Sequence, residues 1–68
     1  MSDIAKIVEI NAASTESLEE AVRDGLRKVA KTINNIQGAW ISDIKVVTTP
    51  GGDIEEWRTC LRVTFLVD

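Results

Sequence analysis

Hydrophobic and polar positions alternate most cleanly over residues 55–67, EEWRTCLRVTFLV. The odd positions are Trp57, Thr59, Leu61, Val63, Phe65 and Val67; the even ones are Glu56, Arg58, Cys60, Arg62, Thr64 and Leu66. Successive strand side chains point to opposite faces, so this run predicts a strand with one apolar and one mixed face. It is about twice the usual strand length, and a long unpaired edge invites aggregation, so its place is the middle of a sheet. Residues 4–10, IAKIVEI, predict an earlier strand with Val8 and Ile10 on one face and Ile7, Ala5 and Glu9 on the other. Between these lies a stripe at helical spacing: Leu18, Ala21, Val22, Gly25, Leu26, Val29, Ala30 and Ile33. Ser14 or Ser17 can cap this helix, and Ser17 with Glu20 has capping-box spacing. Glu16, Glu19 and Glu20 at its start, and Arg27, Lys28 and Lys31 towards its end, complement the helix dipole. The helix is expected to fade at Asn34 and Asn35 and to stop before Gly38. Gly25 costs roughly 1 kcal/mol inside a helix relative to alanine, which points to close approach of the sheet.

Residues 39–48 predict a further strand with broken alternation. Ile41, Ile44 and Val46 read as core, and one extra residue near Ser42 and Asp43, a β-bulge, brings all three to one face. Trp40 then points the other way, to the side of the even face of the last strand. Thr49, Pro50, Gly51 and Gly52 form the hairpin turn. The predicted fold is α+β, β-α-β-β: a three-stranded antiparallel sheet in the order 1-3-2, packed on one helix. The helix covers the odd face. Trp40, Arg58, Cys60 and Arg62 lie on the other, which nothing in the chain is left to cover.

Composition supplies the reason for a partner. Residues 1–68 read as one domain, and a chain this short buries only about 60% of its unfolded surface. With Cys60 the single cysteine and no histidine, neither an internal disulfide nor a structural zinc site is available, so oligomerisation is the expected support. A net charge of −3 argues against nucleic-acid binding. No signal peptide or membrane span is read, and the lone thiol suits a reducing, cytoplasmic setting. No acid–base pair or activated nucleophile is visible, which points away from an enzyme. Cys60 reads as a small buried hydrophobe, and Trp57 as a core or interface-edge residue. Arg58 and Arg62 read as interface ion-pair donors, with Glu9, Asp43 or Glu55 as partners. Asp53, Glu55 and Glu56 read as a solvated acidic turn, with a calcium site as a minor alternative.

The chain resembles the dodecins, small β-α-β-β proteins that assemble into hollow dodecamers and bind flavins. The resemblance rests on KIVEI (6–10), STESLEEAVRDGL (14–26), AKTINNI (30–36) and EWRTCLRVTFLV (56–67). It implies a homododecamer that sequesters riboflavin, FMN or FAD, with Trp40 stacking on the isoalloxazine ring and Arg58 holding its polar edge. In flavin-binding members the tryptophan stands where this chain has Gly38, and a glutamine stands where it has Arg58. The arginine that can meet a flavin phosphate is replaced by Leu66. Trp40 comes two residues after Gly38, with the same side-chain parity. The alternative is the same assembly without flavin, or with another small ligand or ion.

Overall fold

The computed structural model describes residues 3–67. Four elements follow one another: β1 (Ala5–Ser14), α1 (Leu18–Ala30), β2 (Ile36–Thr48) and β3 (Ile54–Leu66). The sheet has the expected order β1-β3-β2, with both pairings antiparallel. The long alternating strand is therefore the central one.

Local chemistry fixes the helix start. The Ser17 backbone is extended, and its hydroxyl accepts from the Glu20 N–H at 3.0 Å. This satisfies one of the donors that the first helical turn leaves open. Ala21, Gly25 and Val29 form the buried ridge of α1. A Cβ placed on Gly25 would lie 3.1 Å from Ala12 Cβ, 3.2 Å from Leu61 Cδ1 and 3.3 Å from Ile10 Cδ1. The glycine thus marks the close approach of helix and sheet that its cost implied. Leu61 and Val63 are fully buried beneath the helix, with Val8, Ile10, Ala12, Val22 and Leu26 packed around them.

Several boundaries differ from the sequence expectation. The helix ends at Ala30, several residues early, where Lys31 N–H reaches back to the Lys28 carbonyl and Ile33 N–H to that of Val29. Asn35 then takes a left-handed φ of 62°, a conformation that asparagine tolerates better than most residues. Its carbonyl accepts from Leu66 N–H, which starts β2 at Ile36 rather than Ala39. β1 runs on through Asn11, Ala12, Ala13 and Ser14, each paired with β3. These residues have little strand preference of their own, and pairing to a long central strand overrides it.

The bulge is where it was expected. Ile41 pairs with Leu61 and Asp43 with Cys60, leaving Ser42 as the extra residue. Its hydroxyl donates to the Cys60 carbonyl at 3.2 Å, and the buried Thr59 hydroxyl donates to the Asp43 carbonyl at 2.7 Å. Ile41, Ile44 and Val46 accordingly share the face of Leu61, Thr59 and Trp57. They are nevertheless not core. Helix α1 packs on β1 and β3, and the three β2 residues are 46%, 59% and 37% exposed. An apolar groove of about 570 Å³ separates Leu18, Val22 and Leu26 from Ile41.

The chain is thin and long, 55 × 19 × 13 Å, with a radius of gyration of 14.2 Å. A compact domain of this length would have about 11 Å. Its accessible surface of 5078 Å² exceeds the roughly 4,200 Å² of a compact monomer of this mass. The excess is on the order of one partner's share of a standard protein interface. Among the described residues, no helix is long and apolar enough to cross a membrane.

Candidate functional site

The helix-free face of the sheet is organised in rows, because residues paired across an antiparallel sheet point to the same side. The first row is Ile7, Thr64 and Gly38; the second is Glu9, Arg62 and Trp40. Asn11, Cys60 and Asp43 form the third, and Ala13, Arg58 and Lys45 the fourth. Each row takes its members from β1, β3 and β2 in that order.

Trp40 lies on this face as expected and is 59% exposed. The guanidinium carbon of Arg62 stands over its indole, 6.0 Å from the ring centroid, at the outer range of a cation–π contact. Next to Trp40, the Gly38 position is open. A Cβ there would meet only the Thr64 hydroxyl, at 3.9 Å, and that hydroxyl donates to the Gly38 carbonyl at 3.1 Å. An indole edge, a cation and a vacant shelf therefore adjoin one another.

Arg58 shares the face but stands two rows away, about 13 Å along β3 from Arg62. The neighbour of Trp40 is thus Arg62. Finding this neighbour from the sequence requires the register to be carried from the hairpin through two irregularities, one beside Thr48 and one at Ser42, which together bring position 40 opposite position 62. Arg58 lines a concavity of about 390 Å³ with Asn11, Asp43, Lys45 and Cys60. Lys45 lies opposite it, two like charges in register, which is unfavourable unless an anion intervenes.

Within the single chain, the residues expected as interface partners of Arg58 and Arg62 do not pair with them. Arg58 Nε donates to Glu56 two residues along the same strand, rather than to Glu9, Asp43 or Glu55. That hydrogen bond, and then the charge of Glu56, raises the Arg58 guanidinium above its ordinary pKa. Glu9 instead accepts from the buried Cys60 thiol, Sγ to Oε1 at 3.1 Å. Arg62, opposite Glu9, has no carboxylate within ion-pair range among the described residues, whereas Arg27 and Arg58 each have one and Arg23 has two. Half-buried Trp57 lies on the helix side, in register with Val46 and Ser14. Among the described residues, no three acidic, cysteine or histidine groups gather where they could hold a metal ion.

This surface brings together a flat apolar ring, cations and an open floor, parts that suit a binding site. Comparison with known proteins fits a binding surface. A family model for dodecins matches residues 4–68. A dodecin from Streptomyces davaonensis superposes with a TM-score of 0.90 at 20% identity, covering 100% of this chain and 98% of the other. A variant of the Thermus thermophilus dodecin gives 0.90 at 25% identity, with 98% of both chains covered. A calcium dodecin from Mycobacterium tuberculosis, described with a calcium-binding site, gives 0.80 at 22% identity over 96% of this chain and 91% of that one. A search of curated protein sequences returned no match.

Proposed function

This chain belongs to the dodecin family, and from that premise we propose that it is a homo-oligomeric, non-enzymatic protein that binds and stores a flavin. The assembly is a dodecamer in the cytoplasm, and the ligand is riboflavin, FMN or FAD, stacked on Trp40. The observation that carries this reading is the exposed Trp40 indole on the helix-free face, beside the vacant Gly38 shelf and the Arg62 cation. Indole and isoalloxazine are both flat and largely apolar, so stacking removes apolar area from both. The shelf gives the ring room to lie against the sheet. Arg62 meets the ring edge first. Arg58 and Lys45, two rows on, supply positive charge for a ligand's more distant polar part. The thin shape and excess surface of the single chain support an assembly.

Titration of the protein into riboflavin or FMN tests the reading. Stacking on Trp40 should quench flavin fluorescence strongly at micromolar protein, and Trp40→Ala should abolish the quenching while leaving the oligomer intact. Unchanged fluorescence would end the flavin reading, and disassembly on Trp40→Ala would make the tryptophan an interface residue. Sedimentation as a single 7.5 kDa chain would overturn the assembly.

A further inference from the structure

We propose that the Trp40–Arg62 pair selects a flat aromatic ligand in anionic form, with Cys60 acting as the positioning residue that keeps Arg62 free to do so. The inference rests on the reading of Trp40 as a stacking platform and adds to it the charge of what stacks there.

The argument starts from Glu9. Register places it directly opposite Arg62 on the same face, where a cross-strand ion pair would be the ordinary outcome. Its Oε1 is instead taken by the Cys60 thiol one row away, at 3.1 Å. The thiol holds the Glu9 carboxylate towards the Cys60 row, and the contact of Arg62 is the Trp40 ring. A guanidinium carries five N–H donors and no acceptor, so it can bond a carboxylate or a deprotonated ring edge but offers nothing to a ligand N–H. The Thr64 hydroxyl, whose proton goes to the Gly38 carbonyl, adds an acceptor at the shelf, so the side-chain donors beside the ring come from Arg62. A ring resting on the Gly38 shelf against Trp40 therefore meets donors along the edge that faces Arg62. Charge-assisted bonds of this type are roughly twice as strong as neutral ones, while solvent exposure trims the gain.

The test uses two flat tricyclic probes of the same shape, phenazine-1-carboxylate and phenazine-1-carboxamide, titrated calorimetrically into the intact assembly. The carboxylate should bind about tenfold more tightly than the amide. That ratio should fall towards one in Arg62→Gln, and also in Cys60→Ala, where Glu9 is released to pair with Arg62. Arg62→Lys should keep most of it. In the unaltered protein the ratio should shrink as salt rises towards 1 M, a readout that needs no variant. Equal binding of the two probes, or a ratio indifferent to Arg62→Gln and to salt, overturns the selection while leaving the platform standing. Binding of neither probe overturns the selection, and the platform with it if riboflavin is not quenched either. Quenching of riboflavin is read separately, so loss of the flavin reading is distinguishable from loss of charge selection.

Discussion

β1 and β2 flank the same central strand, both antiparallel to it, and both bring aliphatic residues to its helix side. Only β1 lies beneath the helix. Val8, Ile10 and Ala12 pack into the cluster around Leu61 and Val63, whereas Ile41, Ile44 and Val46 of β2 face an open groove. Half of the sheet is therefore stabilised within the chain, and the other half is left exposed by it. Strand β2 also has Trp40 exposed on its opposite face, so beyond Ile36, which packs against the cluster, its centre is uncovered on both sides. Where one helix sits divides the two flanking strands into a covered one and an uncovered one.

Substitutions can break or sharpen that division. The largest effect is expected from Ile44→Asp, which should dismantle the assembly in sedimentation while leaving the helical circular-dichroism signal of the chain. An intact oligomer would show that this side of β2 is not an interface. Leu61→Ala, at the fully buried centre of the β1 side, should cost about 2–5 kcal/mol in denaturant unfolding at fixed protein concentration. Gly25→Val forces a branched side chain into contacts that are already tight for a Cβ, so a loss of about 1–3 kcal/mol is expected by the same measurement. A gain in stability there would mean that the helix can lift from β1 and β3 without penalty. Ser17→Ala removes the hydroxyl that caps the helix and should cost about 1 kcal/mol, read as a lower thermal midpoint.

The features written by local rules were legible in the sequence. Ser17 with Glu20 gave the cap, Gly25 the close approach, and the spacing of Ile41, Ile44 and Val46 the bulge. The alternation of residues 55–67 placed the central strand and, with the hairpin, the whole strand order. What was not legible depends on contacts between elements. Nothing local in Asn11, Ala12, Ala13 and Ser14 specifies a strand; β3 imposes it. The exposure of Ile44 follows from the position of α1 over β1 and β3, which the periodicity of either element alone does not contain. At the candidate site, Trp40 was placed on the correct face, but its neighbour was not foreseen. That pairing requires the register from the turn to be carried through two irregularities, one beside Thr48 and one at Ser42. The Cys60–Glu9 hydrogen bond joins residues 51 positions apart and competes with an equally plausible Glu9–Arg62 ion pair.

The extra residue at Ser42 gives β2 two reading frames. Before it, the even-numbered Gly38 and Trp40 look away from the helix; after it, the odd-numbered Asp43, Lys45 and Val47 do. Had β2 run on without the bulge, with the hairpin end held in place, the upstream half would stand one position over. Ser42 would then pair with Leu61, Ile41 with Arg62 and Trp40 with Val63, sending the indole to the helix side and the isoleucine to the ligand side. One unpaired residue thus separates a binding platform from a hydrophobic patch, without altering a single side chain that touches either.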